Sequence, residues 1–467
     1  MRLYMTAILA SALTLGLAAC DNGETDPTDG TDDTDTSDLP SNVSCSDGLN
    51  PDSVCTVTGT FTADFTFTAD VVWVLDGAVF VGDDADNCPT LTVDAGTTVY
   101  GATGKRSFLA IARCAKIDAQ GTADAPIVFT SGAQSRNPGD WGGIILNGYG
   151  LNNLCADPND CNVESEGDAG FYGGNDNADD SGILKYVVVT HAGDQVTDED
   201  QLNGIAFQGV GSGTEVDYIQ IHRNRDDGIE FFGGAAQVKH VVITGAHDDS
   251  IDWTNGWTGK LQHAVVQQYD DAGDRGIEAD NNEDDNAASP RSKPTMSHVT
   301  LLGSKNAPEG DDGMKLRRGT GFNGYSFLVA NFGGDCIDVD NRETYENALS
   351  GANLSGELTI ENSIVVDCDG GLFDEDDATD FDPEWTPTWL VADWFTTLNS
   401  ANTADETGVT TDYIESTSLS SPNWASKGDA TSGGAAPSDS WFDRGTHIGG
   451  VAPGSDWTAG WIVTDMN

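Results

Sequence analysis

One short phrase recurs through the middle of the chain and limits what it can fold into. An acidic or Asn residue, a small residue and an aliphatic residue follow one another, often with an acid next. The phrase appears as Asn203-Gly204-Ile205, Asp227-Gly228-Ile229-Glu230, Asp249-Ser250-Ile251-Asp252, Arg275-Gly276-Ile277-Glu278, Asp312-Gly313-Met314-Lys315 and Asp335-Cys336-Ile337-Asp338. The aliphatic residues are spaced 24, 22, 26, 37 and 23 residues apart, the long step leaving room for an inserted loop around 281–292. Between the phrases lie β-rich runs such as Val216–Ile221, Val238–Ile243 and Leu261–Val266. Two or three short strands per repeat, separated by Gly, Asn and Asp turns, are the mark of a β-solenoid. One coil cannot bury its inner face alone, so stacked coils share a continuous aliphatic core. Propeller repeats are about twice as long, and sandwiches do not repeat a phrase. The expected fold is all-β: a right-handed parallel β-helix over 45–374, closed by a Trp-rich C-terminal cap over 375–467.

Both ends of the chain depart from the repeat. An apolar stretch after Arg2 runs into Leu17-Ala18-Ala19-Cys20, which resembles the bacterial lipobox. This implies a signal peptide over 1–19 and lipid on Cys20, with the lipid as the membrane contact. The expected location is the cell envelope, the outer membrane or cell surface favoured, with the periplasmic face of the inner membrane as the alternative. Residues 21–38 hold eight acids and no base. Such a segment cannot bury enough surface to fold, so 20–44 reads as an extended tether. Seven of the eleven Trp lie after residue 375. A solenoid end exposes core and strand edges and needs a cover. A helix is expected within Pro387–Ala401, with sugar stacking as the alternative role for these indoles.

Charge narrows the partners. The chain carries 21 Lys+Arg against 77 Asp+Glu, a net charge of −56. Like charge repels nucleic acid and anionic membrane surfaces. Apart from Cys20, eight cysteines fall in neighbouring pairs: Cys45 with Cys55, Cys88 with Cys114, Cys155 with Cys161, and Cys336 with Cys368. An even number in an exported chain predicts disulfides between those neighbours.

Several upstream phrases, Leu91–Val99, Ala115–Thr122, Pro126–Thr130 and Trp141–Leu146, resemble a widespread family of bacterial secreted and lipoprotein β-helices. The closing Ile448–Gly454 and Asp456–Trp461 resemble that family's end segment, so the likeness spans roughly 70–467. The resemblance implies the fold and no particular activity.

Chemistry is expected on the outward side of the coils. If the aliphatic residue of each phrase points inward, the next points outward, which makes a column of Glu230, Asp252, Glu278, Lys315 and Asp338. Neighbours in such a column stand about 4.8 Å apart, so stacked carboxylates must bind a proton, a cation or a basic side chain. The preceding column, Asp227, Asp249, Arg275, Asp312 and Asp335, sits at turns, where Asp commonly accepts backbone N–H groups. The catalytic candidates are Asp227, Asp249, Asp252, Glu278 and Lys315. Their order, with Asp248, Arg317 and Arg318, is similar to polygalacturonase-type glycoside hydrolases. That family's Gly-His-Gly turn is replaced here by Asp274-Arg275-Gly276, and His247 precedes the acid pair. A lyase using Ca²⁺ is the further enzymatic option. The loop with Asp280, Glu283, Asp284 and Asp285 offers hard oxygen ligands for Ca²⁺. The first functional reading is a rigid envelope protein that binds polysaccharide or another envelope component. The alternative is a polysaccharide hydrolase or lyase working on the acidic face.

Overall fold

The computed structural model describes residues 39–84, 86–196, 201–375, 385–398 and 401–464. Lipidation at Cys20 and the signal peptide lie outside the described residues. Each turn of the chain lays down strands in three parallel sheets. Sheet I includes Gly143–Asn147, Ile205–Gln208, Ile229–Phe232, Ile251–Thr254, Ile277–Ala279, Met314–Leu316, Asp335–Val339 and Gly371–Glu375, each paired in parallel with the next. Sheets II and III are made by the two halves of longer strands, among them Glu215–His222, Gln237–Thr244, Lys260–Gln267 and Thr295–Leu302. Each of these bends at one residue with positive φ: Tyr218 (55°), His240 (49°), His263 (60°) and His298 (58°). Bulky side chains rarely adopt that conformation. Here stacking from coil to coil holds them: Tyr218 lies on His240 at 4.2 Å and His240 on His263 at 4.8 Å.

The inward positions of the phrase behave as the period requires. Ile205, Ile229, Ile251, Ile277, Met314 and Ile337 are all fully buried. Two positions on, Phe207, Phe231 and Trp253 fill the core, with Phe207 stacked on Phe231 at 4.9 Å. Sheet III is apolar on both sides: Val187, Val188 and Val189 are all buried. Double burial explains why its strands read as continuous aliphatic runs.

Both solenoid ends are closed. At the start, Val43–Leu49 pairs antiparallel with Val54–Phe61, and Cys45 is bonded to Cys55 across them. At the far end a helix, α1, runs over Arg342–Asn347 and a second, α2, over Val391–Leu398, inside the 387–401 window. Trp394 of α2 is buried and donates from Nε1 to the Leu358 carbonyl at 3.0 Å. Trp389 donates likewise to Tyr345 at 3.1 Å. Stacking continues past 374, because Thr403–Asp405 pairs in parallel with Ile364–Val366. The segment 413–464 then folds back along the outer face of sheet III, where Trp424 and Trp461 are buried. Most of the C-terminal indoles are therefore packing groups. All four neighbour disulfides are present: Cys45–Cys55, Cys88–Cys114, Cys155–Cys161 and Cys336–Cys368.

Candidate functional site: an acidic cleft on sheet I

The outward column exists in register. Glu230 stands opposite Asp252, Asp252 opposite Glu278, Glu278 opposite Lys315, and Lys315 opposite Asp338. The same column is apolar in the earlier coils, with Ala110, Ile145 and Ala206 at equivalent positions. Those residues pack with Leu202 and Ala169. The face thus turns from covered and apolar to acidic at Glu230.

The turn column does a different job. Asp227 Oδ1 accepts the Asp249 N–H at 3.0 Å, Asp249 Oδ1 accepts that of Arg275 at 2.9 Å, and Asp312 Oδ1 that of Asp335 at 2.7 Å. Each carboxyl ties its coil to the next. Asp227 is 7% exposed and Asp249 4%. Burial, with Asp226 beside Asp227 and Glu278 beside Asp249, pushes both carboxyls well above the usual range. Two of the five catalytic candidates are therefore held in turns beneath the surface. Lys315 is engaged as well, pairing with Asp338 and, at 2.7 Å, with Asp340.

Asp252 and Glu278 do reach a cavity. They line a cleft of about 320 Å³ together with Glu230, Asp280, Glu283 and Asp284. The acidic column candidates Asp252 and Glu278 and most of the acidic-loop candidates thus meet in one place, although the sequence separates them; Lys315 does not line it. Asp285 does not line it; its Oδ1 accepts the Ala287 N–H at 3.1 Å within the loop. The cleft wall is built by two insertions that grip each other. Asn153 Nδ2 donates to the Asn281 carbonyl at 3.1 Å and to Pro290 at 3.1 Å, and Asn282 Nδ2 donates to Asn153 Oδ1 at 2.9 Å. Leu154, next to the Cys155–Cys161 bond, is 48% exposed and faces the cleft. Sequence reasoning missed this wall, because nothing local links residue 153 to residues 281 and 282. It also left Glu230 out of the site, though its place in the column was evident.

Charge compensation divides the cleft. Glu278 pairs with Arg275 at 2.9 Å and with Arg317; Asp280 pairs with Arg317 at 2.9 Å and Arg318 at 2.7 Å. Among the described residues, no basic side chain comes within ion-pair distance of Glu230 or Asp252. Asp227, Glu230 and Asp252 can bring one oxygen each within 4.8 Å of one another. Burial raises both Glu230 and Asp252 well above the usual carboxylate range, with Asp252 acting on Glu230 and Glu278 on Asp252. Asn203 Nδ2 donates to Glu230 at 2.6 Å, while the buried Asp252 Oδ1 has no partner. An uncompensated carboxyl pair of this kind holds a proton, or takes up a cation with hard-oxygen preference.

Residues 59–426 match the family described as a pectate-lyase like beta helix domain. The chain belongs to that family. Membership agrees with the parallel β-helix seen in the structure and with the resemblance read from the coil phrases. Among solved structures, the enzymatically active domain of bacteriophage CBA120 tailspike protein 2 is 12% identical, with a TM-score of 0.23. The match covers 65% of this chain and 38% of that one. No curated protein matches the sequence.

Proposed function

We propose that this protein is a cell-envelope β-helix, anchored by lipid on Cys20, that binds polysaccharide in the cleft over Glu230, Asp252, Glu278 and Asp280. One observation carries the reading: where two insertions wall the acidic face they leave a cleft, and in it Glu230 and Asp252 have no basic side chain within ion-pair distance among the described residues. Sugar hydroxyls are good donors to such carboxyl oxygens, and the exposed Leu154 offers an apolar contact for a ring face. The net charge of −56 disfavours a uronate chain and favours a neutral or amino-bearing glycan. Binding rather than turnover is favoured because Asp227 and Asp249 are engaged in turn hydrogen bonds. Arg275, Arg317 and Arg318 likewise occupy Glu278 and Asp280.

A second reading, a polysaccharide hydrolase or lyase, rests on the contrast across the cleft. Burial raises Glu230, Asp252 and Glu278 alike, but among them Glu278 alone lies against guanidinium groups, those of Arg275 and Arg317. Acid and base roles are assigned in glycosidases by such differences in environment. Glycan-array binding, followed by assays for reducing ends and unsaturated products on every glycan bound, tests both. Retention without product supports the binding protein; product lost in Asp252→Asn supports the enzyme; neither binding nor product removes both.

A further inference from the structure

The returning segment 413–464 is a strap laid over sheet III. Trp424, Ile448, Val451 and Trp461 pack on the outward residues Val188, Val242, Val265 and Leu328. Side chains of the coils bind the strap backbone at two points each. Gln220 both donates to and accepts from Val463 at 2.7 Å. Gln262 donates to Asp443 at 2.9 Å and accepts from it at 2.7 Å. Ser326 does the same with Ala435, at 2.8 and 2.7 Å.

Where the strap crosses the corner between sheets II and III, it lands on imidazoles. His447 of the strap lies 4.6 Å from His298 and 6.4 Å from His263, ring centre to ring centre. His263 and His298 are 5.4 Å apart on neighbouring coils. His298 is fully buried and His447 is 7% exposed; the buried Nε2 of each makes no hydrogen bond among the described residues, although the Gly445 backbone beside His298 opposes the effect of burial on it. The charged groups around them are already committed. From the coils, His240 is bound to Asp217 at 2.7 Å, Lys239 to Asp443 at 3.0 Å and Lys260 to Asp439 at 2.5 Å. From the strap, Asp443 also stands 3.7 Å from His263 Nε2, but it is largely exposed. Arg444 is turned onto the carbonyls of Pro437 and Ser438. His298 Nδ1 meets Ser297 Oγ at 2.6 Å and Gln262 at 3.5 Å, both neutral. Among the described residues, no buried carboxylate is available to offset a proton on His298 or His447.

We propose that these imidazoles form an acid-sensitive latch: protonation of His298 and His447 releases the strap and uncovers the apolar outer face of sheet III. This device is separate from the cleft and does not depend on what the cleft binds. Burial holds His263 down at about 2 and His298 at about 3, and depresses His447 too. The closed latch therefore keeps them neutral, whereas released imidazoles titrate near 6.5. Lowering the pH from 7.5 to 5.0 favours release by roughly 30-fold for each such imidazole, and by about 10³-fold for two.

Hydrogen exchange on the full chain, corrected for intrinsic rates, reads the release directly. The strap amides bonded to the coils, those of Ala435, Asp443, Gly449 and Val463, should lose about 10³-fold protection at pH 5.0, while sheet I amides keep theirs. His298→Gln with His447→Gln should flatten the response. If that variant does not fold, the unaltered protein still decides: strap opening must rise steadily as pH falls from 6.5 to 5. A flat or inverted response in it, or an unchanged pH dependence in a folded variant, overturns the latch.

Discussion

Replacing Asp249 by Ala and by Asn separates two properties that the native side chain combines. Its Oδ1 accepts the Arg275 N–H at 2.9 Å across the boundary between coils. The carboxyl is 4% exposed and is held well above its usual range by burial and by Glu278. Asp249→Ala removes the acceptor and leaves a buried N–H unpaired, at a cost of about 1–3 kcal/mol. Asp249→Asn keeps an acceptor oxygen and removes an ionisable group that resists ionising in place. A carboxyl with a raised folded pKa contributes stability that is complete below its unfolded value near 4 and lost as pH rises through the folded value. Asp249→Asn should therefore be near neutral at pH 4 and more stable than the unaltered protein at pH 8. Urea midpoints at the two pH values measure the effect, and hydrogen exchange at the Arg275 amide localises it. A stable Asp249→Ala with an undisturbed Arg275 amide would refute the turn-ladder reasoning. So would an Asp249→Asn that loses stability at pH 8.

The same sign rule applies to the whole acidic face. Asp226 and Asp338 sit at about 7, raised by burial and by Asp248 and Asp340 respectively, so the stability they contribute should fall from pH 6 to pH 8. The buried imidazoles, with depressed values, act in the opposite sense and add stability as pH rises through about 6.5, so the carboxyl share is read by difference: a gain in Asp226→Asn with Asp338→Asn that does not grow from pH 6 to pH 8 in urea titrations would contradict the assignment. Ca²⁺ bound to the folded state through Glu230 and Asp252 should raise the midpoint at pH 8, and Glu230→Gln should abolish the gain. Identical melting in Ca²⁺ and chelator removes the site. Cys20→Ala should move the protein from the membrane fraction to the soluble one, and unchanged fractionation would exclude the lipid anchor.

The solenoid was legible because one coil repeats the constraints of the last. Ile229, Ile251 and Ile277 recur at 22 and 26 residues, so the inward position, and with it the outward acid, follows from alternation alone. The column of Glu230, Asp252, Glu278 and Lys315 could be read that way without any long-range information. What the sequence did not disclose is which stretch of the column is covered. That depends on Ala206 and Leu202 packing beneath an insertion, and on Asn153 reaching residues 281 and 282. The Arg pairings are similarly hidden, since Arg317 meets Glu278 only through stacking. The strap left a trace in the uninterrupted Val187-Val188-Val189 run, whose two-sided burial implies a second layer, but its identity is set by contacts such as Gln220 with Val463.

The central claim is that the cleft over Glu230 and Asp252 binds glycan. It is tested most directly by isothermal titration of the purified protein with the best neutral or amino-bearing oligosaccharide from an array, alongside Asp252→Asn and Leu154→Asp. Both substitutions lie on the cleft lining and neither removes an acceptor of the turn ladder. The account predicts saturable binding, weakened at least tenfold in each variant, with no loss of stability beyond that of a surface change, about 0.5 kcal/mol, and a gain for Asp252→Asn at neutral pH where the buried carboxyl resists ionising. Binding that is equally tight in both variants would place the glycan elsewhere and contradict the account.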